Sequence, residues 1–254
     1  MRYLSILGFA ICVPLALAAD RPVPVIVELF TSEGCSSCPA ADRLLSYLDH
    51  MQPVPGAQVV ALEEHVDYWN QLGWNDPFSS PQYRARQNDY AMGFRASNIY
   101  TPQMVVNGET EFVGSDTSRA YHEIELASQN ATTVVGLGAS ANPRDPDLLD
   151  LSVQVTSSKT AKSRDSNVYL AVTENGLTTL VQGGENSGRK LRHSAVVRSF
   201  GVIGRVKPDG AKGGQLVSTL RLPHEWKREN LRAVVFVQER ETHHITGASV
   251  LNLP

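Results

Sequence analysis

Apolar and polar positions alternate along the chain with two different periods, and the period changes about halfway. Val25-Ile26-Val27-Glu28-Leu29-Phe30 is a nearly continuous β-branched and apolar run that predicts a buried strand over about 25–31. Behind it Leu44, Leu45, Leu48 and Met51 recur at helical spacing, predicting a helix that starts near Ser36 and stops before Pro53, Pro55 and Gly56. A second strand follows over 58–62. A strand, a crossover helix and a strand imply a parallel, right-handed pair. The next predicted helix, over 82–94, carries Tyr83, Tyr90 and Phe94 along one side. Thr101-Pro102 leads into a strand at 103–106, Asn107-Gly108 signals a hairpin, and 111–114 returns. Asp116 is placed to cap a last helix whose Ala120, Tyr121, Ile124 and Ala127 sit at core spacing. The first half therefore reads β-α-β-α-β-β-α.

From Thr132 the period is two. Leu149, Leu151, Val153 and Val155 fall on one strand face, as do Val168, Leu170 and Val172, and further strands are predicted at 194–200, 215–220 and 233–238. Asn142-Pro143, Asn175-Gly176, Asp209-Gly210 and Gly213-Gly214 divide them. Short, regular strands of this kind predict an antiparallel β-sandwich-like domain over 131–254.

The start of the chain reads differently from both halves. Arg2, an apolar run over 4–13 and the small residues before Asp20 predict a signal peptide over 1–19 and a secreted or periplasmic protein. Ile11, before Cys12, is not the small residue a lipid-attachment site needs, so Cys12 is expected to leave with the leader. Of 23 basic residues Arg2 leaves too, so 22 face 26 acidic ones and the net charge moves from -3 to -4. With no basic run and no later apolar stretch of spanning length, neither a nucleic acid nor a membrane is expected as a partner once the leader is gone.

Two of the three cysteines then remain, Cys35 and Cys38, in the order strand, C-x-x-C, helix. In that context the pair reads as a redox site, because a helix N-terminus favours the thiolate. Cys35 is the expected nucleophile and Cys38, one turn in, the shielded resolving thiol. Two other readings stand beside it: a structural disulfide on a scaffold or binding module, and a copper or zinc site. A bridge this local constrains the unfolded chain little, which argues against a staple. A metal site would need His65, with Glu63, Glu64 or Asp67 as poor partners for a soft metal, and His193, His224, His243 and His244 show no ligand spacing. Trp69, Trp74 and Phe78 lie on a long connection beside the expected site, where they either wall a substrate groove or form the core of a packed insertion. Gly183-Gly184-Glu185-Asn186-Ser187-Gly188-Arg189 lacks the following helix of a phosphate loop and reads as a hairpin tip or a docking loop.

The motifs Phe30-Thr31-Ser32-Glu33-Gly34-Cys35-Ser36-Ser37-Cys38-Pro39, His65-Val66-Asp67-Tyr68-Trp69, Leu72-Gly73-Trp74, Asp76-Pro77-Phe78, Thr101-Pro102-Gln103 and Gly184-Glu185-Asn186-Ser187-Gly188-Arg189 resemble a secreted bacterial thioredoxin-like family known as domain of unknown function 1223. The resemblance spans nearly the whole chain after the leader. It departs at Glu33, where glutamine is expected, and at Ala40, where a second proline is expected. It implies an α/β thioredoxin-like domain over 20–130 ahead of the β domain, and no defined activity. Likeness to the wider thioredoxin superfamily further implies a cis proline that helps to bind the substrate backbone, a place matched by Thr101-Pro102. The expected function is thiol-disulfide exchange with protein or small-molecule thiols and disulfides. Its catalytic residues would be Cys35, Cys38, Pro102 and His65, its substrate-binding residues Thr101, Trp69 and Trp74, and it would need no cofactor and no metal.

Overall fold

The computed structural model describes residues 21–157, 164–207 and 214–253. The expected signal peptide lies outside them, as do the turns at Asp209-Gly210 and at Gly213. The first half follows the predicted order: β1 (Val23–Thr31), α1 (Cys38–Met51), β2 (Ala57–His65), α2 (Pro81–Phe94), β3 (Gln103–Val106), β4 (Thr110–Val113) and α3 (Thr117–Ser128). The second half consists of β5 (Thr133–Ala141), β6 (Leu148–Ser157), β7 (Ser166–Glu174), β8 (Leu177–Leu180), β9 (Lys190–His193), β10 (Val196–Val206), β11 (Gly214–Arg221), β12 (Leu231–Glu239) and β13 (Ile245–Asn252).

Local signals act as their chemistry dictates. The Asp116 side chain accepts from the Arg119 amide at 3.0 Å and caps α3. Asn107 and Gly108 both take positive φ, 46° and 67°, and turn β3 into β4. A Cβ on Gly108 would stand 2.1 Å from the His243 carbonyl oxygen, so no other residue fits there.

The expected fold class, an α/β thioredoxin-like domain followed by a β-sandwich-like domain, is not what the chain adopts. The molecule is mostly β, with three α-helices and thirteen strands among the described residues. Strands of both halves share one mixed eight-stranded sheet in the order β13-β12-β7-β10-β2-β1-β3-β4. The physical reason lies at β2. Parallel pairing with β1 satisfies only one of its edges, and an open edge recruits a further strand. That strand is β10, paired parallel through Val196 and Glu63, with the Glu63 amide donating to the Ala195 carbonyl at 2.9 Å. β10 then continues antiparallel into β7, and β7 into β12 and β13.

β1 is buried on both faces, which is why its sequence is a run and not an alternation. Val25, Val27 and Leu29 pack with Leu44, Leu45 and Leu48 of α1 and Ile124 of α3. Ile26 and Phe30 pack on the other face with Tyr83 and Tyr90 of α2 and with Ala171 and Phe236 from the second half. The three-stranded sheet β11-β6-β5 buries Leu149, Leu151, Val153 and Val155 against Val168, Leu170, Val172 and Val235. The period-two reading of those strands holds.

One buried cation ties the α2 face together. Arg86 of α2, 8 % exposed, donates to Glu28 of β1, lies 3.6 Å from Glu64 of β2, and donates to Gln238 of β12 at 3.2 Å. Removing one partner of a buried pair strands the other charge, so Arg86→Ala is expected to lower unfolding free energy by about 3–5 kcal/mol in a denaturant titration. A loss below about 1 kcal/mol, the range of an exposed pair, would mean that this cluster does not hold the two halves together.

Candidate functional site

Strand β1 ends at Thr31 and the chain turns through Ser32, Glu33 and Gly34 into the cysteines. Cys35 and Cys38 form a disulfide with Cα atoms 5.4 Å apart, and Cys38 is the first residue of α1. Both residues are 0 % exposed, while Ser36 and Ser37 between them face solvent. The expected asymmetry of one accessible and one shielded sulfur is therefore absent from the bridged form. Ser37 Oγ lies 3.3 Å from Cys35 Sγ.

Two loops hold this turn. From the first half, the Trp69 Cβ packs close to Gly34, 3.3 Å from where a Cβ there would stand, and Trp69 Nε1 donates to Thr101 Oγ1 at 2.8 Å. The Thr101–Pro102 peptide is cis, and the Pro102 carbonyl accepts from Gly114 N at 2.9 Å. From the second half, Asn186 Nδ2 donates to the carbonyls of Glu33 and Cys35 at 2.8 and 2.9 Å, and Glu185 Oε2 accepts from the Ser36 amide at 2.9 Å. The segment 183–189 is thus a docking loop. It is seated against the Trp74 connection so closely that a Cβ on Gly183 would lie 2.2 Å from the Gly73 carbonyl oxygen.

Behind the turn lies a buried polar network. His65 Nδ1 is 2.7 Å from Asp76 Oδ2, and its Nε2 is 3.3 Å from Glu63 Oε1. The same Glu63 oxygen is 2.7 Å from His193 Nδ1, and His193 Nε2 is 3.1 Å from Glu33 Oε1. Trp74 Nε1 donates to Glu33 Oε2 at 2.8 Å, and the Glu33 amide donates to Asp76 Oδ2 at 2.8 Å, which closes a ring of contacts. Phe78 stands edge-on to both imidazoles, with centroids at 5.4 and 5.6 Å. On α1, one turn beyond Cys38, the buried Asp42 accepts from Thr31 Oγ1 at 2.6 Å.

A family model described as a protein of unknown function, DUF1223, matches residues 26–238. The chain belongs to this family. The match takes in the cysteine turn, the docking loop and every member of the network. No curated protein matches the chain. Two solved structures are similar over most of its length. One is a protein from Agrobacterium tumefaciens, 25% identical, covering 92% of this chain and 96% of that one with a TM-score of 0.66. The other is HBP35 of Porphyromonas gingivalis, 16% identical, covering 91% of this chain and 76% of that one with a TM-score of 0.65, a likeness that carries the fold alone. Among the described residues no helix is long and apolar enough to cross a membrane.

Within this DUF1223 chain the electrostatics of the network follow from its pairings. Burial pushes the Glu63 carboxyl up, and the adjoining His193 and His65 more than offset this, holding it at about 2. Burial opposes charge on His193, yet Glu63 and Glu33 raise it to about 9. His65 rises well above its ordinary value for the same kind of reason: Asp76 and Glu63 outweigh its burial. Asp42 has no cationic contact of its own. Burial first, then the charge of Glu63, lifts it to about 7 against the weaker pull of His193, Thr31 and His65.

Of the residues singled out in the sequence, the structure brings together Cys35 with Cys38, Trp69 with Thr101, and His65 with Trp74 through Asp76 and Glu33. The thiol-centred metal set does not assemble: the sulfurs are bonded to each other, Glu64 turns to Arg86, and Asp67 pairs with Arg84 at 3.3 Å. Sequence reasoning set His193 aside for want of ligand spacing, gave Asp76 and Asp42 no role of their own, and gave Glu63 only a minor part. Glu33 did stand out, as the acid in place of an expected amide, and it is the residue on which the network closes.

The raised Asp42 carries a pH signature. Its folded pKa of about 7 lies above the ordinary ~3.9, so the folded protein keeps a proton that the unfolded chain has lost, and stability falls as pH rises from about 4 to 7. The fall is on the order of 4 kcal/mol if Asp42 acts alone. Thermal unfolding of Asp42→Asn followed from pH 4 to 8 should show that slope reduced, with the variant gaining on the parent protein as pH rises. An unchanged slope would assign it to other groups.

Proposed function

We propose that this is an exported protein, acting in the periplasm or outside the cell, whose Cys35–Cys38 pair exchanges disulfides with protein or small-molecule thiols. The observation that carries the reading is the bridge itself, between cysteines three positions apart at the start of a helix. Closing so small a loop stabilises a fold by only about 2 kcal/mol in the chain-entropy view, a weak reason to keep two cysteines. The position serves chemistry better. Amides at the head of α1 favour a thiolate there, and a thiolate is the attacking and leaving species in exchange.

In the reduced protein a Cys35 thiolate attacks a partner disulfide, forming a mixed disulfide and releasing one partner thiolate. Cys38, as thiolate, then attacks the Cys35 sulfur, releases the second partner thiolate and closes the bridge. The partner gains two electrons and the protein loses two. Asp42, buried one turn from Cys38 along α1 and poised near pH 7, is the carboxyl assigned to take up the Cys38 proton. Since the bridged sulfurs are buried, the reverse reaction needs the turn to open, and from the second half Asn186 and Glu185 are the side chains that hold it closed.

Cys38→Ser should accumulate a mixed disulfide with extracytoplasmic proteins that vanishes with reductant, and Cys35→Ser should trap none. Insulin reduction by the parent protein should exceed that of Cys35→Ala. Equal rates, with no adduct from Cys38→Ser, would leave the bridge a purely structural element. In the opening step, Asn186→Ala should speed reduction of the bridge by a small thiol several-fold, read by alkylation of the freed cysteines over time. An unchanged rate would mean that loop 183–189 does not guard the sulfurs.

A further inference from the structure

We infer that Glu63, His65 and His193 form a binding site for one divalent transition-metal ion, of the kind that zinc typifies, with two imidazole nitrogens and one carboxylate oxygen as its protein ligands. The inference is independent of thiol exchange, because none of the three donors is a sulfur.

Geometry comes first. Glu63 Oε1 lies 2.7 Å from His193 Nδ1 and 3.3 Å from His65 Nε2, and the three donor atoms all fall within 4.8 Å of one another. The imidazole planes cross at 74° with centroids 4.9 Å apart, so the rings converge on the carboxylate without stacking. Donors around a tetrahedral zinc ion, each about 2.0–2.1 Å from it, stand roughly 3.4 Å apart. Of the three spacings, Glu63 to His65 at 3.3 Å already has that value, Glu63 to His193 widens from 2.7 Å, and the two imidazole nitrogens, within 4.8 Å of each other, settle to the same separation as each ring gives up its proton facing Glu63 to the ion.

The second observation is an under-satisfied nitrogen. His65 Nε2 is wholly buried and makes no hydrogen bond of good geometry; its ion-pair contact is Glu63 Oε1 at 3.3 Å. A buried imidazole nitrogen held only by so long a contact is the exception in a well-satisfied interior. A metal ion would satisfy it.

The surroundings supply a third observation. Metal-ligating histidines hand their remote nitrogen to a carboxylate or carbonyl, which fixes the tautomer and the ring. Here each imidazole does so with a separate acid: His65 Nδ1 with Asp76 at 2.7 Å, and His193 Nε2 with Glu33 at 3.1 Å. Those acids are held in turn. Asp76 accepts from the amides of Glu33 and Phe78, Glu33 accepts from the Trp74 indole, and the second oxygen of Glu63 accepts from Ser194 N at 3.0 Å. Two nitrogens and one oxygen suit zinc, copper(II), nickel or iron(II), and not calcium or magnesium.

Access comes from the His193 side, where a cleft of about 690 Å³ runs between α1 and the β8–β9 hairpin. Arg43, Lys190 and Arg192 on its walls repel a free cation, so loading is slow and has to be measured at equilibrium.

The test uses the oxidised protein, stripped with a chelator and then either incubated to equilibrium or refolded with Zn²⁺ or Co²⁺. One metal per chain should survive gel filtration, and the cobalt form should show d–d bands without a thiolate-to-cobalt charge-transfer band. The Cys35→Ser/Cys38→Ser double variant should keep the metal. Glu63→Gln and His193→Ala should lose it, and Asp76→Asn should weaken binding roughly 10–100-fold. Because buried variants can fail to fold, the parent protein gives a separate readout: its Tm should climb with zinc concentration. Substoichiometric metal in the refolded parent, a Tm indifferent to zinc, a thiolate band, or metal retained by a folded Glu63→Gln would each overturn the inference.

Discussion

A guanidinium buried against three acidic and amide partners on three different strands is what the rest of this structure depends on. Arg86 meets Glu28 on β1, Glu64 on β2 and Gln238 on β12, donates to Tyr90 on its own helix at 2.8 Å, and lies within 5.4 Å of the ring centroids of Tyr90, Tyr169, Phe200 and Phe236. Neither the guanidinium nor the two carboxyls would tolerate burial alone. Gathering these partners around one guanidinium requires strands of both halves to lie under the same helix, so the pairing of β2 with β10 is supported by charge as well as by backbone bonds. Once β10 is fixed, β9 and the loop before it arrive next to the cysteine turn. The site is assembled by the sheet.

How much of this was legible follows from how local each signal is. The face formed by Leu149, Leu151, Val153 and Val155, the Asn107-Gly108 turn and the Asp116 cap each lie within a few residues, and each was readable. The union of the halves was not, because the sheet passes from one to the other through a single parallel bridge between Glu63 and Val196, which leaves no periodic trace. His193 escaped for the same reason, standing 130 positions from its carboxylate partner. Only the fold brings them together.

Glu63-Glu64-His65 is more instructive, since its signal was present and was misread. Three polar residues after Gln58-Val59-Val60-Ala61-Leu62 look like the end of a strand, yet β2 continues to His65 with all three buried. Alternation carries on through them. Val59 and Ala61 belong to the α1-side core and Glu63 and His65 prolong their row, while Val60 and Leu62 belong to the α2-side core and Glu64 prolongs theirs toward Arg86. One strand end therefore feeds two separate polar clusters on opposite faces of the sheet. Polar residues that keep an apolar row's period mark buried chemistry, not a loop.

The two clusters answer to different demands. Around Arg86 a single cation offsets acids inside an aromatic wall, an arrangement explained by joining strands. Around His65 and His193 the acids Glu33, Asp42, Glu63 and Asp76 outnumber the imidazoles, and apolar residues of similar volume would fill that space at no loss of stability, often with a gain. Stability alone does not account for such a network next to a disulfide. Its position adds a further constraint, for Glu33 takes part in both structures: its side chain accepts from His193 and Trp74, its amide donates to Asp76, and its carbonyl accepts from Asn186, two residues before Cys35. Any movement of the cysteine turn large enough to expose the sulfurs has to disturb some of these bonds, and any change in the charge held by the network is felt at the turn through the same residue. Such coupling is reciprocal by thermodynamic necessity. The glutamate that departs from the expected amide at position 33 is therefore where the chemistry of the sulfurs and the chemistry of the imidazoles are joined.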